Sequence, residues 1–444
     1  MEAILEKIER ALAATSVPGE SGRVAIAYSG GLDSTVLLAA MARLRPPATL
    51  RALHIDHGLH VDSAAWSEHC RLIAADLGVE FDSRRVKVDT RSGESTEAAA
   101  RDARYAALGR MLLPDELLLT AHHRDDQLET VLLRLFRGSG VRGLRGIEPH
   151  SEFRGIRLAR PLLEVSREAI RAAADSSGLG WLEDPTNSES SFDRNYLRHD
   201  VIPLLRARWP GVATTASRAA RQMGAAQKIL DSVAVGDSAG FDAPDRLSQS
   251  ALLELSPERR ANVLRYWIRE NRLPNPSAVQ LNELMNAIEV LRPDATTRVV
   301  WPGAEARIYR DILYLFAPMA PESGPDYEGR LARDSFWRGP EGCIELHRTS
   351  GEGLPDAWVQ QGLAVRFRAG GERFKPLHDA HSRSLKKWLQ VEGIVPWMRS
   401  RIPLLYRGSS LVAVGDLVIS DDIRQAESDG PAWAVRWSDH PSLT

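Results

Sequence analysis

The sequence predicts an α/β protein in three parts. These are an N-terminal doubly wound parallel sheet (1–212), a mainly helical middle region with a linker (213–325) and a small mixed α/β C-terminal domain (326–444). Three observations predict it. Four apolar runs in the first third are each followed by a stretch of helical periodicity, as in a parallel sheet covered on both faces. From about Ala213 the strand signals thin and amphipathic stretches dominate. Beyond the proline- and glycine-rich "APMAPESGPDYEGR", taken as a linker, strand-like and helix-like segments mix at shorter spacing.

In order, "RVAIAYS" precedes a helix over about 34–43, "LRALHID" one over about 63–77, "VEFDSRRVKV" one over about 96–111, and "ELLLTAHH" one over about 126–136. Ligands of such sheets lie beyond the carboxyl ends of the strands, where "SGGLDS", "HIDHGLH" and "AHHRDDQLET" fall. In the middle region, "SRAARQMGAAQKILDSV" and "SPERRANVLRYWIREN" have helical periodicity, with short strands at "TRVVWP" and "EARIYRDILYLF". The C-terminal part offers strands at "GLAVRFRA", "RIPLLYRG" and "SLVAVGDLVI", and a helix at "SRSLKKWLQ".

The 444 residues exceed one domain, and 43% hydrophobic with 26% charged residues lets each domain bury a core. A net charge of −2 means that a polyanion would be met by local basic patches, not overall charge. The two cysteines, Cys70 and Cys343, stand far apart, which argues against a disulfide framework, a zinc ribbon or an iron–sulfur cluster held by this chain alone. The acidic, amphipathic N-terminus lacks signal-peptide character, and no apolar run reaches the roughly 18 residues of a membrane span. A soluble, cytoplasmic protein is expected.

In "SGGLDS", Gly30 and Gly31 let backbone N–H groups turn toward an anion at a helix N-terminus, and Ser29, Ser34 and Thr35 add hydroxyls. A strand-ending Gly-Gly is also a common plain turn. Leu32 and Asp33 stand where a GxxxxGK[ST] loop would continue toward its lysine. An acid inside a phosphate cradle makes sense if Asp33 holds Mg²⁺, which then screens the phosphates. Such a loop favours attack at the α-phosphate with pyrophosphate departing.

"HIDHGLH" holds His54, Asp56, His57 and His60. Its spacing matches no usual zinc pattern, and Asp56 is placed to accept from a ribose or adenine donor. In "EAAARDARYAAL", Arg101, Arg104 and Tyr105 share a helix face. They are either a phosphate clamp or a solvated face with a Glu97–Arg101 pair. In "HHRDDQLET", Asp125, Asp126 and Glu129 crowd a helix start. Acids are favoured there by the helix dipole in any case, yet the set would also hold Mg²⁺ or bind and deprotonate an amine.

SGGxDS resembles the signature of the PP-loop ATP pyrophosphatases. The ordered set SGGLDS, "HIDHGL", "EAAARDARY", "HHRDDQLETVLLRLFRGSGVRGL", "RPLL", "WLEDPTN" and "FDRNYLRH" resembles the tRNA(Ile)-lysidine synthetases within that superfamily. The likeness is strong over about 210 N-terminal residues and weak in the middle. It returns in "RAGGERFKPLHDAHSRSLKKWLQ" and "VPWMRSRIPLLY".

The resemblance implies a ligase that joins free L-lysine to the wobble cytidine of a CAU-anticodon isoleucine tRNA through a tRNA adenylate, with ATP and Mg²⁺. It implies that Ser29, Gly30, Gly31, Leu32, Asp33, Ser34, His54, Asp56 and Arg104 meet ATP, and that Asp33 holds the metal. Asp33, Arg101, Asp126 and Glu129 become the catalytic candidates, and Asp126 and Glu129 the lysine pocket. Arg137, Arg142, Arg194, Asn195, Arg198, Arg373, Lys386 and Lys387 are expected to meet tRNA. The basic C-terminal stretch, with Trp388 and Trp397 more plausibly core than base contacts, is expected to grip the acceptor stem. A 2-thiocytidine synthetase would need paired cysteines. An NAD or GMP synthetase leaves the basic C-terminal part unexplained. A nucleotide sensor has no use for Asp126 and Glu129.

Overall fold

The structure, a computed structural model, describes residues 1–13, 22–45, 49–56, 63–86, 96–183, 193–239, 246–290, 297–324, 326–333, 335–425, 431–441 and 443, with only the backbone at 64, 96–100 and 425. His57, His60, Phe192, the "DPTN" of "WLEDPTN" and the Glu97 side chain lie outside the described residues. Two compact units are present, Met1–Leu230 and Asp231–Thr444.

In the first unit the order is α1 (Glu2–Ala13), β1 (Val24–Ala27), α2 (Leu32–Leu44), β2 (Leu50–Asp56), α3 (Ser63–Asp76), β3 (Glu80–Arg85), α4 (Thr96–Met111), β4 (Leu117–Leu119) and α5 (Arg124–Phe136). There follow α6 (Val141–Leu144), β5 (His150–Phe153), β6 (Ile156–Ala159), α7 (Arg167–Ser176), α8 (Asp193–Tyr196), a π-helical turn Leu197–Val201, α9 (Ile202–Arg208) and α10 (Val212–Ser238). The unit boundary falls within α10.

The strands lie in the order β3-β2-β1-β4-β6-β5, and all but β5 are parallel. The β5–β6 hairpin is absent from the sequence reading, because "HSEF" and "IRLA" are short and broken by polar residues. It adds the antiparallel edge, turning at Arg154 (φ 53°) and Gly155 (φ 80°).

Alternation along the strands explains the double winding. Val24, Ile26, Leu50, Ala52, Leu117 and Leu119 point into a core with α1, α2 and α7, while Ala25, Leu53 and Leu118 point into the opposite core with Tyr105 and Leu108 of α4. Helix α1 contributes Ile4, Ile8 and Leu12, a buried stripe at four-residue spacing. The chain runs outward from β1 to β3 and then returns to β4 on the other side of β1. The carboxyl ends of β1 and β4 therefore bracket the switch-point crevice where ligands of such sheets bind.

The second unit contains the helices Gln249–Glu254, Pro257–Glu270 and Ala278–Glu289 with a four-stranded antiparallel sheet. It continues into a five-stranded and a four-stranded antiparallel sheet, and a helix Leu385–Val391. Strands Glu328–Leu331, Phe336–Gly339, Gly342–Thr349 and Ala432–Ser438 were not legible as strands. The expected linker is anchored in part: the Ala320 carbonyl accepts from Arg401, and Ser323 donates to the buried Glu341. Trp397 is buried and Trp388 packs against the same core. Among the described residues no helix is long and apolar enough to cross a membrane.

Candidate active site

The loop after β1 is held by its own hydroxyls. Ser29 and Ser34 share a hydrogen bond of 3.0 Å, Ser34 Oγ donates to the Gly31 carbonyl at 3.1 Å, and Thr35 Oγ1 donates to the Gly30 carbonyl at 3.3 Å. Gly30 has φ +80°, and a Cβ there would lie 2.6 Å from Cys70 Sγ, so both conformation and space demand glycine. Gly31 caps α2 without a side-chain acceptor, which presents the first turn of α2 to an anion. Burial pushes the Tyr28 hydroxyl up to about 12, so it stays protonated beside Thr35.

His54 lies beneath this loop. Its Nδ1 donates to the Tyr28 carbonyl at 2.9 Å, its ring stacks on Phe81, and burial lowers its pKa. Asp56, at the end of β2, has its carboxylate 3.6 Å from Arg85.

Across the switch point, His123 ends the β4 segment and caps α5. Its Nδ1 accepts from the backbone N–H groups of Asp125 (3.2 Å) and Asp126 (3.3 Å), and the His123 N–H in turn donates to Asp126 Oδ2 at 2.9 Å. The neutral ring then carries its proton on Nε2, which faces Asp33 Oδ2 at 3.6 Å. Burial opposes a charge on His123, but the Asp33, Asp126 and Glu129 carboxylates outweigh it and raise its pKa. The other Asp33 oxygen, Oδ1, is buried with no hydrogen-bond partner. Sequence alone assigns His123 no role, since a histidine at a helix N-cap carries no specific signal. The acids at its third and sixth following residues were the available clue.

Asp126 and Glu129 face α8 and the π-helical turn. Arg194 donates to Glu129 at 2.7 Å and to Asp126 at 3.1 Å, while Arg198 donates to both Glu129 oxygens at 2.7 and 2.9 Å. The motif "FDRNYLRH" thus delivers two guanidinium groups to the carboxylates, and Asn195 lies between them on the same turn. Asp126 is held below the usual carboxylate range. Burial works the other way but is outweighed by His123, His122, Arg194 and the His123 N–H. Asp125 takes no part in this group. It accepts from Arg167 N–H at 2.8 Å and pairs with Arg206, tying α5 to α7 and α9.

Arg101 and Arg104 sit over the Tyr105 ring, at 5.3 and 5.4 Å from its centre, and Arg104 Nε is buried without a partner. His122 is driven down to about 3 by burial, with the nearby arginines Arg160, Arg104 and Arg194 adding to this against the pull of Asp126. A cleft of about 690 Å³ brings Ser29, Gly31, Leu32 and Asp33 together with His123 and Arg198. Arg167, Arg171, His199, Trp66 and the segment Trp181–Glu183 complete it. His54, Asp56, Arg101, Arg104, Asp126 and Glu129 stand outside its lining.

Arg137 pairs with Asp193 at the surface, 3.4 Å apart, and Arg142 lies on α6. In the second unit, Arg373 donates to the Ser382 carbonyl at 3.0 Å, and Lys386 and Lys387 are exposed on the helix Leu385–Val391.

Chemically, the arrangement sets an anion-binding helix start and an unsatisfied carboxylate oxygen on one side of the switch point. A carboxylate pair held by two arginines lies on the other. Comparison with known proteins agrees. A PP-loop domain matches residues 4–205, a TilS substrate binding domain 247–314, and a TilS substrate C-terminal domain 363–437. The chain is 42% identical to a tRNA(Ile)-lysidine synthase of Alkalilimnicola ehrlichii, covering 90% of this chain and 91% of the relative. It is 38% identical to that of Coxiella burnetii (92% and 91%), and 39% identical to that of Xanthomonas campestris pv. campestris (90% and 92%). With its signature loop, its acidic helix and its two substrate domains matched in order along nearly the whole length, the chain belongs to the tRNA(Ile)-lysidine synthase family.

Proposed function

We propose that this chain joins the side-chain amine of free L-lysine to C2 of the wobble cytidine in a CAU-anticodon isoleucine tRNA, converting ATP to AMP and pyrophosphate. The product pairs with A instead of G, and the tRNA's amino-acid identity changes from methionine to isoleucine. The observation that carries the reading is the 3.6 Å approach of His123 to Asp33, which couples the phosphate loop to the helix bearing Asp126 and Glu129.

In the first step, cytosine O2 attacks the α-phosphate, the bond to the bridging oxygen breaks, and pyrophosphate leaves. The loop of residues 29–34 cradles the departing pyrophosphate, with His54 bracing it from beneath and Asp56 at the nucleoside end. Arg101 and Arg104 offset triphosphate charge. The buried, unpartnered Asp33 Oδ1 fits a Mg²⁺ ion. Among the described residues no three acidic, histidine or cysteine side chains gather as a metal site. Such an ion would screen the charge that builds up on pyrophosphate.

In the second step the lysine amine attacks C2, the C2–O2 bond breaks, and AMP departs. A free ammonium has a pKa of about 10 and must lose its proton to attack. Asp126 and Glu129 attract it. Because Asp126 is held ionised, it binds the ammonium well and takes its proton weakly. Arg137, Arg142, Arg194, Asn195 and Arg198 meet the anticodon arm, and Arg373, Lys386 and Lys387 meet a more distant part of the tRNA. Residues 1–212 act as the catalytic domain and 326–444 as a tRNA-binding domain, in the cytoplasm.

Pyrophosphate release is the test. It should require tRNA, and AMP-coupled lysine incorporation should require both tRNA and lysine. Turnover of ATP with ammonia, a sulfur donor or no RNA would overturn the reading.

A further inference from the structure

Trp181 lies in the active-site cleft but has no part in the steps above. It follows α7, and its neighbour Leu182 donates its N–H to the Gly30 carbonyl at 2.9 Å. The Leu182 side chain fills the space where a Cβ on Gly30 would project, 3.2 Å away. The segment is therefore pinned to the phosphate loop. Arg171 stands over the Trp181 ring, 5.6 Å from its centre, and its guanidinium reaches Glu183 at 3.8 Å. Trp66 lines the same cleft; both tryptophans are half-buried, and Trp181 packs in part against the core that α1, α2 and α7 share with the sheet, while the cleft around it mixes Leu32 and Leu182 with charged and hydroxyl groups.

The part of the Trp181 ring that remains exposed faces the cleft, and base stacking on such rings is worth about 1–3 kcal/mol per base. ATP does not account for it. Asp56, expected at its nucleoside end, stands outside the cleft lining, whereas Arg167, Arg171 and Arg198 line it. Three cations around an aromatic wall suit a nucleotide splayed from an RNA loop, its base stacked and its flanking phosphates paired. Arg198 also links this cleft to Glu129, so a base seated here lies between the loop and the carboxylate pair.

We infer that Trp181, positioned by Arg171 and by the tie of its neighbour Leu182 to Gly30, is the stacking wall that seats the wobble cytosine of the RNA. This rests on the function proposed above. The experiment measures binding of full-length protein to CAU-anticodon tRNA and to the same tRNA made abasic at the wobble position. Wild type, Trp181→Phe and Trp181→Leu are compared; leucine keeps apolar packing but cannot stack.

Wild type should bind the abasic tRNA about tenfold more weakly. Trp181→Leu should bind intact tRNA about tenfold more weakly and show no further loss on the abasic one, and Trp181→Phe should recover most of the difference. ATP affinity without RNA should not change. Losses that multiply, no loss in Trp181→Leu, or a fall in ATP affinity would overturn the assignment, the last pointing to adenine. Failure of wild type to make lysidine on intact tRNA would instead reject the underlying function, whatever Trp181 does.

Discussion

Arg194 spans Glu129 and Asp126, donating from Nε at 2.7 Å and from Nη2 at 3.1 Å, so one guanidinium occupies both carboxylates proposed to meet the lysine ammonium. Lysine thus competes with an arginine rather than entering an open acidic pocket. If tRNA phosphates draw Arg194 or Arg198 away, the carboxylates are released when RNA is present.

Glu129→Gln should still form the tRNA adenylate but pass it slowly to lysine, because a neutral amide neither holds an ammonium by charge nor takes its proton. Adenylated tRNA should accumulate in a quench experiment with α-labelled ATP, partly relieved by high lysine or raised pH. The variant also leaves Arg194 and Arg198 with Asp126 alone as their charged partner in this group, and should lose roughly 1–3 kcal/mol of stability. A variant that makes no adenylate would place Glu129 in the ATP site instead.

Asp33→Ala removes the unpartnered Oδ1 and the group facing His123. With tRNA and Mg²⁺ present, ATP–pyrophosphate exchange should fall by on the order of 10²–10³-fold while the fold persists. Exchange near the wild-type rate in a folded variant would remove the proposed metal role.

Gly30→Ala meets three obstacles, a left-handed φ of +80°, Cys70 Sγ at 2.6 Å and the Leu182 side chain at 3.2 Å. It should weaken ATP binding and lower thermal stability. Adding Cys70→Ala should restore only part of the loss, since the positive φ still costs an alanine about 1–2 kcal/mol. Full recovery in the double variant would show that space alone, not conformation, selects glycine.

Lys386→Ala with Lys387→Ala should weaken tRNA binding far more than turnover at saturating tRNA. If both lysines contact phosphates, the slope of log K against log salt should flatten by roughly 0.7–0.9 per contact. An unchanged slope would leave them as a solvated helix face.

His122 gives a pH signature. The unfolded chain protonates it below about 6.5, whereas the folded chain keeps it neutral down to about 3. Between those values the unfolded state binds the extra proton, so this contribution to stability is lost as pH falls. His122→Asn should flatten the decline of the urea midpoint between roughly pH 6.5 and 4.5, relative to wild type. Parallel declines would show that the histidine is not buried neutral.

The sequence by itself determined the helices and parallel strands around the switch point, because their apolar runs and periods encode burial on two faces. It also pointed to Asp33, an acid inside a phosphate loop, and to the acids Asp125, Asp126 and Glu129 at the start of α5, among which the family resemblance favoured Asp126 and Glu129. Tertiary structure decided which acids act together. Asp125 and Glu129 share helical spacing, yet Asp125 turns to Arg167 N–H and Arg206 while Asp126 joins Glu129. It also decided that Arg194 and Arg198 meet carboxylates, that His123 bridges the cap of α5 to Asp33, and that Leu182, beside Trp181, is tied to the phosphate loop. The short edge strands and the C-terminal strands Glu328–Leu331, Phe336–Gly339, Gly342–Thr349 and Ala432–Ser438 likewise became visible only in the fold, whereas those at 363–366, 404–407 and 410–414 lie where the sequence predicts them. The physical reason is common to these cases: helical period and strand alternation fix which way a side chain faces, but its partner is set by segments 40 to 150 residues away in the chain, whose approach only the packed sheet and helices determine.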